Sequence, residues 1–350
     1  MSEPTPPFPP APENERPQEV WIITPPRQHW WLYVLFFVLT MFSTLVVGAR
    51  MQFNYLHNQP VFLLNDDTVS LFPLGWVLQK PSNLLLGVPF SLTLMAILFA
   101  HEMGHYLYAR HYRVYATPPF FVPFPSLIGT LGAFIRIKSP IPSRAALFDI
   151  GIAGPIAGFI PACIALFAGL SLSRPITGPP ASGFQLGFPL AFHLAARFLH
   201  SGVPLTALSL HPVAAAAWVG MFATALNLLP GGQLDGGHII FSVVPGLHRV
   251  ISIVTVFALV PLGKYFWTGW FLWAVLLALT ARHPLVPRYP EVAGRRRAIA
   301  MFALVILVLS FTPAPFTHSS GREVWPELRD DARGALHDLG DGVRHLLHRK

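Results

Sequence analysis

Charge is what this chain of 350 residues has least of. Only 11% of its residues are Asp, Glu, Lys or Arg, against 53% hydrophobic and a mean hydropathy of +0.52. Soluble domains carry about 25% charged residues. The shortage excludes an ordinary soluble fold, and apolar runs of about 20 residues imply helices that cross a bilayer. Cysteine is nearly absent as well. Cys163 stands alone in an apolar run, which excludes an intrachain disulfide and a cysteine-built metal cage. The formal net charge of +8 is not a nucleic-acid footprint, because in a membrane protein the placement of basic residues matters more than their sum. No nucleic-acid partner is expected; the lipid bilayer is.

Residues 1–27 are proline-rich and lack the basic-then-apolar order of a signal peptide, so they are expected to form a disordered tail before a retained first anchor. Spans are expected at 29–49, from 84 into HEMGHYLYAR (101–110), and at 145–172, 211–229, 250–262, 266–281 and 298–311. The fold class is therefore an all-α polytopic membrane protein of about six or seven transmembrane helices. Between the second and third spans, GTLGAFIRIK alternates with strand periodicity: Ala133, Ile135 and Ile137 face one way, Phe134, Arg136 and Lys138 the other. The membrane domain is expected over 28–312, followed by a charged tail, 313–350, with helical apolar spacing. With a cytoplasmic amino terminus, the short loops on the far side hold only Arg50, Lys80, Arg174, Arg197 and Lys264. The cytoplasmic segments hold more than twice as many basic residues, as the positive-inside rule requires.

The acidic inventory is sharper. Between Asp67 and Glu291 the chain has only Glu102, Asp149 and Asp235. A carboxylate at membrane depth costs about 2.5 to 3.5 kcal/mol even on the lenient insertion scale, so each survivor is a functional candidate. Glu102 lies in HEMGH, where His101 and His105 share a helix face and can bind one zinc, with Glu102 placed as general base. Catalytic zinc takes a third protein ligand and leaves one position for water. Asp235, in PGGQLDGGHI, is the obvious supplier. Asp149 is expected to pair with Arg144 or Arg136, or to cap the third span. His238 stands near the Asp235 segment with no role assigned.

HEMGHYLYAR fits the HExGHxxxAR form, and NLLPGGQLDGG the NxxPxxxLDG form, of the site-2 protease family. With the glycine-rich GIAGPIAGF between them, the chain resembles that family over roughly residues 84–245. The resemblance implies an intramembrane metalloprotease with one Zn2+ per chain, held by His101, His105 and Asp235, with Glu102 as general base. It implies that Asn227 holds substrate backbone or the oxyanion. GTLGAFIRIK resembles the family's re-entrant hairpin, with Gly132, Ala133, Phe134 and Ile135 against an unwound transmembrane substrate. The segments 113–144 and 173–210 are too short for a PDZ domain, so the chain resembles a PDZ-free type. The proline- and arginine-rich style points to a bacterial cytoplasmic membrane with the site near the cytoplasmic face, and a plastid stays open because PDZ-free forms of the family occur there. The alternative is a zinc-binding but inactive membrane scaffold or a transporter. A prenyl-protein peptidase would draw its third ligand from a later helix glutamate, which the spans lack.

Overall fold

A computed structural model describes residues 29–62, 72–176, 186–284, 286–317, 319–320 and 322. The expected amino-terminal tail and most of the carboxy-terminal one lie outside the described residues. The first helix, α1 (Trp30–Leu56), is followed by the short α2 (Leu74–Gln79) and a 3-10 turn over Pro81–Gly87 that runs into α3 (Val88–His111). A hairpin comes next, β1 (Phe120–Pro123) and β2 (Thr130–Phe134), then the long α4 (Arg144–Leu172). A two-residue strand, β3 (Arg174–Pro175), precedes α5 (Leu190–Leu199) and pairs with β4 (Leu208–Ser209). The further described elements are α6 (Pro212–Asn227), α7 (Asp235–Val243), α8 (His248–Tyr265), α9 (Gly269–Leu279) and α10 (Arg295–Ser310).

Among the described residues, four stretches are long and apolar enough to cross a membrane: α1, α3 with its leading turn, α4 and α8. The architecture is thus a polytopic helical one. The other expected spans are shorter than a bilayer asks for. α6 has 16 residues and α9 has 11, which at about 1.5 Å per residue fall short of a hydrocarbon core of about 30 Å. α7 had no counterpart among the expected spans, because two glycines at its start hide the helical signal.

Small residues let the helices approach. α1 buries Thr40, Ser43, Thr44 and Gly48 on one face. Its Thr44 hydroxyl lies 2.7 Å from that of Ser91 on α3, and a Cβ on Gly48 would fall 2.7 Å from the Gly87 carbonyl oxygen. Close backbone approach of this kind replaces the hydrophobic driving force that lipid cannot supply. α4 starts where the Ser143 hydroxyl accepts a hydrogen bond from the Ala146 amide, 3.1 Å.

The hairpin is fastened to α1. Ser43 donates to the Gly129 carbonyl at 2.5 Å, and Phe120 and Phe121 pack on Phe36 and Phe37 at ring separations of 4.6 and 5.1 Å. Register pairs Phe120 with Phe134 and Phe121 with Ala133. The alternation continues past β2: Ile135 and Ile137 turn inward, while Phe134, Arg136 and Lys138 are exposed.

Asp149 finds a partner far along the chain instead of Arg144 or Arg136. The Arg296 guanidinium grips its carboxylate with two bonds of 2.9 and 2.7 Å, and Tyr112 donates its hydroxyl to the same group. Together they tie the ends of α3, α4 and α10. The pair is partly exposed, with 34% and 15% of its side chains open, so its value is that of charge-assisted hydrogen bonds. Arg296→Ala is expected to destabilise the fold by about 2 kcal/mol, and Arg296→Lys to recover only part of it because the fork is lost. Thermal melts of the detergent-solubilised variants check this.

Candidate metal centre

α3 carries His101, Glu102 and His105 into the interior, where they are 6%, 6% and 7% exposed. The two imidazoles sit four residues apart and so share a face. That face lies directly on α4. A Cβ on Gly154 would come 2.0 Å from His105 Nε2, and one on Gly158 would come 2.9 Å from the His101 Cβ. From the other side, a Cβ on Gly104 would come 2.4 Å from the Ala153 carbonyl oxygen. The glycines of GIAGPIAGF therefore clear the space in which the imidazoles stand.

α4 also sets one tautomer. His105 Nδ1 lies 2.7 Å from the Ile150 carbonyl oxygen. A carbonyl only accepts, so Nδ1 carries the proton and the Nε2 lone pair points inward. Asp235 is the first residue of α7, a helix that also packs on α4. The chain needs both following glycines to bring it there: a Cβ on Gly236 would meet the Leu228 carbonyl oxygen at 2.2 Å, and one on Gly237 would meet that of Gly232 at 2.3 Å.

The three side chains converge on one point. His101 Nε2 and His105 Nε2 are 3.2 Å apart, and Asp235 Oδ2 is 3.4 and 3.3 Å from them. Among the described residues these three form the one group of His, Cys, Asp or Glu close enough to share a metal ion. Asp235 Oδ2 is buried and has no hydrogen-bond partner. Lone pairs that converge in this way repel one another unless a cation sits between them. The triangle fits one: four tetrahedral ligands at about 2.0 Å stand about 3.3 Å from each other. The donor set, two imidazoles and a carboxylate, suits a borderline cation such as zinc.

Around the triangle stand the other expected residues. Asn227, at the end of α6, holds its amide nitrogen 3.4 Å from His101 Nε2. The Glu102 carboxylate has the Ile135 backbone amide as a hydrogen-bond partner, so the end of the hairpin lies over it. Ala133 and Phe134 lie in β2, with Phe134 half exposed. Gly132 does not continue the extended line. Its φ is +101°, and its amide donates to Thr130 Oγ1 at 2.9 Å, so that amide is already engaged. His238 packs beside Gly151 of α4, and its Nδ1 lies 2.8 Å from His283 Nε2. His283 Nδ1 in turn meets the Pro284 carbonyl at 2.7 Å. The proton order follows: His283 donates to Pro284 and accepts from His238. Burial pulls both imidazoles below their ordinary range, His238 to about 4, so the pair is neutral.

A model of peptidase family M50 matches residues 89–262, which include His101, Glu102, His105, Asn227, Asp235 and His238 but not His283. The probable zinc metalloprotease EGY1 of Arabidopsis thaliana, a chloroplastic protein, is 29% identical over 86% of this chain and 55% of its own length. Its namesake in Oryza sativa is 29% identical over 86% of this chain and 52% of its own. The probable zinc metalloprotease EGY2 of Arabidopsis thaliana is 30% identical over 75% and 47%. The chain spans about half the length of the curated relatives it matches.

Gly154→Ala is expected to push the His105 ring out of the triangle and weaken metal binding about a hundredfold while the fold persists. Gly246→Ala, where nothing lies within 4 Å, should leave it unchanged. Titration of each variant with zinc against a chromophoric chelator measures both.

Proposed function

The chain belongs to peptidase family M50, the site-2 protease family, and from that membership we propose that it is an intramembrane zinc metalloendopeptidase that cuts transmembrane segments of other membrane proteins. The observation that carries the reading is the triangle of His101, His105 and Asp235, its two histidines buried, with a buried carboxylate, Glu102, one residue from the first of them. The names of the relatives, probable zinc metalloproteases, agree with zinc as the ion. When bound there, zinc supplies Lewis acidity, polarising a carbonyl and lowering the pKa of water towards about 7.

The protein's own groups do the rest. Glu102 accepts a proton from the attacking water on a carboxylate oxygen and delivers it to the amine nitrogen as the peptide C–N bond breaks. Its burial keeps bulk water from competing for that proton. Asn227 offers an amide N–H beside the triangle, placed to donate to the oxygen that gains negative charge. A substrate helix hides its carbonyls in its own hydrogen bonds, so it must unwind before it reaches Glu102. The hairpin is suited to hold the unwound stretch by strand addition. Ala133, Phe134 and Ile135 are the residues for this, since the Gly132 amide is already bonded to Thr130.

The relatives are chloroplastic by name and lend no support to a bacterial cytoplasmic membrane. What carries over is the asymmetry of charge. Arg110, Arg113, Arg136, Lys138 and Arg144 all lie on the segments that join the site end of α3 to the start of α4. The positive-inside rule puts the site near that face of whichever membrane holds the chain.

The test is Glu102→Gln, assayed on transmembrane peptides that carry a helix-breaking proline or glycine. Zinc is expected to stay at one per chain while cleavage falls at least about a hundredfold. Cleavage that survives the substitution would remove Glu102 from the reaction. A zinc-loaded parent that cuts none of the peptides would favour the scaffold alternative.

A further inference from the structure

The least regular part of the site is the loop that delivers Asp235. Residues 228–234 leave α6, turn through Pro230, Gly231 and Gly232, and start α7, and Leu228, Leu229, Gly231 and Gly232 are buried. Irregular backbone in apolar surroundings must find partners for its amides and carbonyls outside itself.

One face of α8 supplies them. Thr255 Oγ1 lies 2.9 Å from the Pro230 carbonyl oxygen, Ser252 Oγ accepts from the Gly232 amide at 3.1 Å, and His248 Nε2 lies 3.0 Å from the Gly232 carbonyl oxygen. Because a carbonyl only accepts, His248 donates there. Residues 248, 252 and 255 stand at i, i+4 and i+7, one stripe of a helix. All three are closed to solvent, at 3%, 0% and 8% exposure. The backbones meet closely: a Cβ on Gly231 would fall 3.1 Å from Ser252 Cα.

Hydroxyls in apolar helices commonly bond only to their own helix, and both of these have such a bond within reach, Ser252 to the His248 carbonyl and Thr255 to that of Ile251. That habit does not account for three side chains in one stripe meeting three backbone groups of one loop. Ser252 in particular spends its proton on His248 and turns its lone pair to Gly232. The contact then passes to the metal centre, because Gly232 sits against Gly237, two residues after Asp235.

We propose that His248, Ser252 and Thr255 are positioning residues of the metal centre: together they fix Pro230 to Gly232, and through that loop the carboxylate of Asp235. The proposal rests on Asp235 being a zinc ligand and adds that its placement is set by α8, an element that contributes no ligand. A preorganised ligand binds its metal more tightly than one whose loop must order first.

The experiment uses the full chain in detergent. Zinc affinity is read by competition with a chromophoric chelator, and the ligand field by the visible spectrum of the cobalt-loaded protein. Thr255→Val keeps the shape and removes the hydroxyl; Thr255→Ser keeps the hydroxyl; Ser252→Ala removes the second contact. Thr255→Val and Ser252→Ala are each expected to weaken zinc about tenfold and shift the cobalt bands, with the melting temperature of the unloaded protein unchanged. Thr255→Ser should hold zinc like the parent. Parent-like affinity and spectra in Thr255→Val and Ser252→Ala would overturn the proposal, as would a Thr255→Ser as weak as Thr255→Val. Failure of Thr255→Val to fold would also contradict it, since the hydroxyl would then support the whole bundle instead of the loop. A parent that binds no zinc would overturn the metal centre itself, which parent-like variants would leave standing.

Discussion

Everything in this molecule turns on the cost of placing lone pairs and charge where there is little water. His101 and His105 are buried, Asp235 is half-buried with its Oδ2 closed to solvent, and their three inward atoms crowd within 3.4 Å of one another. A cation among them would resolve the conflict. The fold brings these groups together, and most of its unusual features serve that purpose. Glycines 154 and 158 remove the side chains that would occupy the imidazole positions, and Gly236 and Gly237 let α7 fold back far enough to bring the carboxylate. Each of these positions is costly for a helix, since glycine is a poor helix former. The packing they permit is the return.

A second constraint organises the periphery. Backbone that is neither helix nor sheet cannot stand in an apolar medium without partners. Two non-helical segments reach the site, the small open-edged hairpin and the irregular loop before α7, and each is tied to a helix by hydrogen bonds. Ser43 of α1 holds the hairpin at Gly129, and the α8 stripe holds the loop. The site is therefore assembled from six helices, α1, α3, α4, α6, α7 and α8, and a hairpin, although α3 and α7 alone supply the converging atoms.

The sequence disclosed the centre because its chemistry is local. Four-residue spacing puts His101 and His105 on one face, and an acidic residue in a span is conspicuous against 11% charge. The supporting parts were hidden for physical reasons. The Ile150 carbonyl that orients His105 belongs to the backbone, which any residue provides. Asp149 was expected to pair within its own neighbourhood, yet Arg296 lies 147 residues away, and nothing local to Asp149 points to it. Ser252 and Thr255 look like ordinary helix hydroxyls until the loop beside them is seen. Strand alternation after Gly132 was visible in the sequence, whereas the turn of its amide onto Thr130 was not. Charge and hydropathy marked seven apolar runs; only helix lengths revealed that α6 and α9 fall short of a full crossing.

The measurement that tests this account most directly is the zinc content of the purified full chain, taken beside His105→Ala and Asp235→Ala. One zinc per chain in the parent, lost or much weakened in both variants, is the expected result, because it requires residues 130 positions apart in sequence to share one ion. A folded parent without zinc, or zinc that survives Asp235→Ala at full strength, would contradict the account.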